Sequence, residues 1–518
     1  MDTQQPADVR LWAAEGVAYL SIFGDYKDRI ALDGKLLDAI FSLIKVRAAW
    51  IGPDRPTPQG GLTSVVGSPL AGRACCDQTE DSALQYGVVQ TLANLTTYRR
   101  RLSEEQQQLK KLQELAGEKK VKVRVPAAAR TPGARASVLT PWRPRACRCR
   151  TQEHPADDDD RVAKRATEVL KRGAVTALVA LVKEKANRRQ NLAEAMAQVM
   201  LNLATDPHNR GLMVQQGAAK VLLPLANEGT KAGMDAAAQA LAKLAITIDP
   251  ALAFKGEKSA ELVRPLVRLL QSEDGLQNFE ALLALTNLTS NSEELQERLL
   301  HEHGLTHIES LMFSENDMIK RAATEALCNM TMHPDVQAKY DAATTPDRVR
   351  ILLAMADVDD FATRRAASGA LAILTSSSEK VCRDIYGEKF GLPILVTLLN
   401  DAAQAALPPE EKAKAKARAA EEARKAAAAE GATTEAADEA AQAVLDKPDL
   451  TPDEGRQLQH RAISVLRNLA NVPELARGMV QAGLLPAVEM LQFAEFSPVA
   501  ELAKEAYAAM QAAAKEGS

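Results

Sequence analysis

One helical signature returns along this chain at a nearly constant interval. ALTNL occupies 284–288, ALCNM 326–330, ALAIL 370–374 and ALAKL 240–244, with looser copies in MLNL at 200–203, TLANL at 91–95, GVAYL at 16–20 and VLRNL at 465–469. Anchored on the Asn or its counterpart, Asn202, Lys243, Asn287, Asn329 and Ile373 follow one another at steps of 41, 44, 42 and 44 residues. A second marker keeps the same interval. It is a Gly followed by apolar residues at helical spacing, at Gly173, Gly217, Gly304, Gly391 and Gly483; Gly173 to Gly217 is 44 residues and the next two gaps are 87 each, two units. A heptad pattern would return every seven residues, and helix pairs of about 34 residues would drift out of phase.

Each unit reads as a short helix, a Gly-led second helix and a long Ala-rich third helix. Ala322, Ala323, Ala366 and Ala367 are small enough to let neighbouring third helices approach closely. Aromatic residues are 4% of the chain, a balance that favours packed helices over sheets. One such unit cannot bury its apolar face alone, so units must stack. The expected fold is all-α: an armadillo-type right-handed superhelical solenoid of about nine repeats, with third helices lining the concave surface where solenoids bind partners.

Three segments break the period. Residues 53–80 are rich in Pro and Gly, and 126–160 carry a basic block followed by DDDD. Both read as disordered insertions, or as what a retained intron would encode. Residues 402–447 are dominated by Ala, Glu and Lys, with high helix propensity and little apolar face, so a solvent-exposed helix or semi-rigid spacer is expected there. The expected domains are repeats over 1–125 with the loop at 53–80, the insertion at 126–160, and repeats over 161–518 with the insertion at 402–447. VRLWAAEGVAYL reads as a third helix with no first and second helix before it, so the chain is expected to begin mid-solenoid.

The chemistry of an enzyme is not visible. No Walker-type phosphate loop, H-E-x-x-H or nucleophile elbow occurs, and the seven His are scattered. Cys147 and Cys149 form C-x-C with His154 nearby, which does not match zinc spacing; Cys328 and Cys382 lie in helical patterns as small buried hydrophobes. A net charge of −4 gives no global reason for nucleic acid or anionic membrane. No secretory signal or apolar run of spanning length is present. We expect a cytoplasmic protein-binding protein with no cofactor and no metal.

The candidate binding residues are the repeated amides. Asn94, Asn202, Asn287, Asn329 and Asn468 share one position of the third helix, and an Asn side chain offers both donor and acceptor to an extended peptide backbone. The alternative is that each bonds a helix end within the solenoid. Phe279 lies eight residues before Asn287, about 80° around the helix, where it shares an exposed flank or belongs to the core. Import adaptors place Trp four residues before such an Asn; here Leu283, Glu325 and Gln198 stand before Asn287, Asn329 and Asn202.

GEKSAELVRPLVRLL at 256–270, DGLQNFEALLALTNL at 274–288, KRAATEALCNM at 320–330 and RRAASGALAILTS at 364–376 resemble the UCS domain of myosin-directed chaperones. The resemblance runs over about 161–400 and 456–514, and 9–46 with 83–97 resembles the central domain preceding UCS in animal-type members. It implies a chaperone that folds or protects myosin motor domains with Hsp90, holding an extended myosin segment in a groove. The family's groove pattern QNYEALxALTNL falls on Phe279, where Tyr is usual, and Asn287; loss of the hydroxyl puts its hydrogen bond in doubt. The expected myosin-binding residues are Phe279, Asn287, Asn329 and Asn202. A tetratricopeptide domain, which docks Hsp90 in animal members, is not seen, so direct Hsp90 binding rests on the resemblance alone. The alternative is an armadillo adaptor or scaffold for another protein.

Overall fold

Capping side chains start the long Ala- and Leu-rich helices. The computed structural model describes residues 6–45, 70–98, 158–183, 190–254, 258–290, 292–342, 346–429, 433–446 and 449–516, and every element among them is a helix. Eight of these helices carry the third-helix signature, α1 (Ala7–Leu20), α2 (Leu70–Thr96), α3 (Gln190–Thr205), α4 (Lys231–Thr247), α5 (Gly275–Thr289), α6 (Asp317–Met330), α7 (Phe361–Ser377) and α8 (Pro452–Ala470), and α9 (Ser497–Glu516) follows them without it. Thr230 accepts from the Gly233 N–H at 3.1 Å, Asp274 from Leu276 at 2.9 Å, Asn316 from Met318 at 2.9 Å and Asp360 from Thr363 at 2.9 Å. Thr451 and Glu454 form a reciprocal capping box. Each such cap is worth about 1 kcal/mol.

Contacts divide the chain into two compact units, Met1–Val221 and Leu222–Ser518. In the first, α1 packs on α2 and α2 on α3; in the second, α4 to α9 pack in order, each on the next. Second helices lie against third helices: Lys258–Leu269 on α5, Gly304–Leu311 on α6, 346–356 on α7, Gly391–Ala406 on α8 and Leu485–Leu491 on α9. Ala322, Ala323, Ala366 and Ala367 are buried where α6 meets α7, as their size predicts. Among the described residues no helix is long and apolar enough to cross a membrane.

The repeated glycine has two separate causes. Gly173, Gly217 and Gly483 sit between first and second helices at φ of 89°, 90° and 80°, the left-handed cap that only Gly adopts without strain. At Gly304 the left-handed residue is instead the preceding His303, at φ 59°. Gly304 is required by packing: a Cβ there would lie 2.8 Å from Leu299 Cγ.

The insertions depart from expectation. Residues 53–69 and 126–157 lie outside the described residues, but 70–80 are helical and open α2. The reason is composition: after Pro69 no proline follows, and Ala71, Arg73 and Ala74 favour helix. Asp159 and Asp160 of the DDDD run occupy the first turn of the helix Asp159–Lys171, where the helix dipole favours negative charge. That helix packs on α2, with Arg165 almost fully buried. Its guanidinium donates to Leu95 O at 3.0 Å and Asp28 at 2.6 Å. Residues on both sides of 126–157 therefore share one unit. Instead of a single exposed helix, 402–447 holds two, Pro409–Ala429 and Thr434–Asp446, packed on each other with Ala420 and Ala437 buried and Arg424 paired to Asp438 at 2.8 Å. Residues 402–406 belong to the helix Gly391–Ala406, with Ala402 and Ala405 buried against α8.

That docking site gives a test. A Cβ on Gly455 would lie 2.8 Å from Ala402 Cα and 2.9 Å from Ala405 Cβ, whereas one on Gly211 meets nothing within 4 Å. In urea unfolding followed by helical circular dichroism, Gly455→Ala is expected to lose about 1–3 kcal/mol. Gly211→Ala, inside the helix Pro207–Gln215, is expected to gain up to about 1 kcal/mol from propensity. Equal shifts would contradict the packing described.

Candidate polypeptide-binding face

The repeated amides turn toward the solenoid itself. Asn94 Nδ2 donates to Ser21 Oγ at 2.9 Å and Ala18 O at 3.3 Å, at the end of α1. Asn202 reaches the Thr96 and Thr97 hydroxyls at the end of α2, both at 3.3 Å. In the second unit Asn287 reaches Ala245 O at 3.2 Å on α4, and Asn329 reaches Thr286 O at 3.0 Å on α5. Asn468 reaches Thr375 Oγ1 at 2.9 Å and Ala372 O at 3.2 Å on α7. Each nitrogen thus serves the closing turns of the preceding third helix; Ala18 O, Ala245 O and Thr286 O are among the last four carbonyls of their helices, which have no partner within the helix. Of the two readings open in the sequence, the helix-end bond accounts for the donors.

Acceptors and exposure differ along the series. Asn94 and Asn202 accept from Gln90 at 3.1 Å and Gln198 at 2.8 Å, four residues earlier. Leu283 stands at that place before Asn287 and cannot do the same. Asn202 and Asn468 are buried, Asn329 is half-buried and Asn287 is exposed. Asn287 is therefore the expected site residue best placed to offer its carbonyl to a partner, and Asn202 the worst.

In the second unit, helix α5 carries a partly uncovered apolar stripe. Leu276 is 54% exposed, Phe279 and Leu283 are half-buried, and with Asn287 they follow at steps of three, four and four residues, which places them on one side of the helix. Ala281, Leu282, Leu285 and Leu288 on the opposite side are buried. Phe279 therefore belongs to the open flank and not to the core.

The rest of the face is charged and mostly balanced. Glu280 of α5 is buried and pairs with Lys243, accepting also from Gln239 at 3.0 Å, both on α4. Arg321 of α6 binds the Asp360 carboxylate that caps α7, through Nε at 2.9 Å. Burial works to raise the Asp360 pKa, but donors from Arg321 and Thr363 hold it below the usual carboxylate range. Glu325 of α6, raised by burial, faces Arg365 of α7 at 3.6 Å. These ion pairs were not legible in the sequence, because each joins residues about 40 positions apart with no motif of its own. Cys382 is buried as expected, but Cys328 is half-buried and takes a hydrogen bond from Arg461. Cys147 and Cys149 lie outside the described residues.

Loss of an amide strut should cost most where it is buried. Asn468→Ala is expected to destabilise the chain by about 1–2 kcal/mol, since it removes two hydrogen bonds from a buried amide. Asn287→Ala is expected to cost less than about 1 kcal/mol because water can replace its bonds. Urea midpoints of the two variants decide; the reverse order would remove the structural role assigned to these amides.

No protein-family model matches the chain. It is 36% identical over 375 residues to human protein unc-45 homolog B, covering 72% of this chain and 34% of the relative. Ring assembly protein 3 of Schizosaccharomyces pombe is 29% identical over 264 residues, 49% of this chain and 34% of that protein. Among solved structures, UNC-45 from Drosophila melanogaster superposes with a TM-score of 0.67 at 27% identity, over 99% of this chain and 50% of the other. UNC-45 from C. elegans, titled a myosin chaperone and solved with an Hsp90 peptide, gives 0.65 at 21%, over 98% of this chain and 42% of the other. The fold is thus the armadillo-like helical solenoid of these proteins, and this chain spans about a third of the length of the human relative.

Proposed function

The chain belongs to the UNC-45 family over the 375 residues that align at 36% identity, and from that kinship we propose that it is a myosin-directed chaperone. In this reading it is a cytosolic, non-enzymatic protein that holds an extended segment of an unfolded or maturing myosin motor domain. We assign the client-binding role to the UCS-like residues 161–518, and within them to the stripe on α5. Cooperation with Hsp90 belongs to the same reading, as the peptide complex of the C. elegans protein suggests.

The observation that carries the proposal is the uncovered row Leu276, Phe279, Leu283 and Asn287 beside a closed ion-pair network. An extended polypeptide offers apolar side chains on alternate sides and backbone amides between them. The stripe offers apolar contact along its length and, at its end, an exposed carboxamide. An adaptor for basic peptides fits less well: the place four residues before Asn202, Asn287 and Asn329 holds Gln198, Leu283 and Glu325, not an aromatic clamp.

The test is heat-induced aggregation of a purified myosin head, followed by light scattering, with and without an equimolar amount of the chain. We expect suppression by this chain and not by an unrelated helical solenoid; equal behaviour of the two would reject the proposal in favour of a passive scaffold. Asn287→Tyr places a bulky ring at an exposed position and is expected to weaken binding of the myosin head about tenfold, about 1.4 kcal/mol. Its helicity should stay unchanged. Binding as tight as the parent would remove the stripe from the site.

A further inference from the structure

Six arginines stand on α6, α7 and α8, and five of them have acids. Arg321 is held by Asp360, Arg364 by Asp401, Arg365 by Glu325, Arg456 by Asp453 and Arg467 by Glu505. Arg461 of α8 differs. Among the described residues no carboxylate pairs with it; its neighbours are the Cys328 thiol and the like charge of Arg365. Burial, joined by Arg365, pulls its guanidinium below the usual arginine range. The chain makes room for this cation deliberately: it lies over Gly369 of α7, where a Cβ would stand 1.8 Å from Nη1. A side chain at 369 would force the guanidinium to shift.

The guanidinium borders an open cleft of about 430 Å³ between α7, α8 and the start of α9. Ala372, Ile373, Phe496 and Pro498 give it apolar walls. His460 packs edge-on against Phe496 with ring centroids 6.2 Å apart, and burial with the Arg461 charge lowers its pKa, so it adds no charge at neutral pH. The rim acid, Asp453, is engaged by Gln457 at 2.9 Å and Arg456 at 3.3 Å on its own helix. A partly desolvated guanidinium among apolar walls is best satisfied by a carboxylate, which it binds with charge-assisted hydrogen bonds.

We propose that this cleft is a second subsite of the client groove, taking the carboxylate of an Asp or Glu side chain on Arg461 and a neighbouring apolar residue against Ile373 and Phe496. The proposal rests on the client-binding reading above and specifies the chemistry of the client. Three third-helix steps separate α5 from α8. At about 8–10 Å each that is spanned by roughly seven to nine extended residues. The client segment therefore pairs an apolar residue at Phe279 with an acid about that far along the chain.

The probe is a rhodamine-labelled, end-blocked peptide with a Leu-Glu-Phe core, and its Leu-Gln-Phe counterpart, titrated against the full chain by fluorescence anisotropy. The Glu peptide is expected to bind about tenfold more tightly. The preference should vanish in Arg461→Met and return in part in Arg461→Lys, with helicity of both variants checked. Equal affinity of the two peptides for the parent chain overturns the subsite without reliance on any variant. So does a preference that survives Arg461→Met, or no binding of either peptide by a chain that protects the myosin head. If the peptides discriminate as expected but the head aggregates unprotected, the subsite stands and the client reading falls.

Discussion

A side-chain amide reaching back to the end of the neighbouring helix is the interaction on which the stack depends. The closing carbonyls of a helix have no partner within it, and between packed helices water cannot supply one cheaply. A buried acceptor left bare costs about 1–3 kcal/mol. Asn329 covers the end of α5, and Asn468 braces the closing turns of α7 through Ala372 O and Thr375 Oγ1, so one repeat is tied to the next. This makes the repeats interdependent in their polar groups as well as in their apolar faces. Where the amide is missing, charge takes over. Ile373 has nothing to donate, and α7 is joined to α6 instead by Arg321 with Asp360 and by Arg365 with Glu325.

Much of this was legible because the period was. A signature returning at 41–44 residues placed α3 to α7 on the sequence, and the capping residues Thr230, Asp274, Asn316 and Asp360 stand at the starts of α4 to α7. Local chemistry fixes such elements, so local reading finds them. Direction was not legible. An Asn at a repeated position presents the same two groups to a peptide or to a helix end, and the choice depends on where the preceding helix stops. The glycine marker showed the same ambiguity: Gly217 is needed for its backbone angle and Gly304 for its missing Cβ. The Ala/Glu/Lys segment read as exposed because its apolar residues are almost all Ala. Ala420 and Ala437 are small enough to let its two helices close on each other.

The face that could meet a partner is electrically quiet along most of its length. Lys243, Arg321, Arg364 and Arg365 each have an acid, several of them half-buried pairs. Such pairs add little net stability once desolvation is counted. They do remove free charge from the surface, so that apolar contact on α5 and the single unbalanced cation on α8 are the features with chemistry to offer. A groove organised in this way discriminates by where its few open positions fall, not by a broad field.

The position four residues before the amide makes the division of labour visible. In the first unit it holds Gln90 and Gln198, which donate to the amide and brace it. In the second unit it holds Leu283, Glu325, Gly369 and Ser464. None of these braces its neighbour in that way. Leu283 joins the apolar stripe, Glu325 meets Arg365, and Gly369 opens the space that Arg461 fills. A stack needs the same bond in every repeat, so the residues that recur serve the stack. A client segment presents a different side chain to each repeat it crosses, so the residues able to recognise it are those that break the recurrence. On that ground the proposed client reading assigns more of the specificity to Phe279 and Arg461, which no repeat rule requires, than to the asparagines beside them.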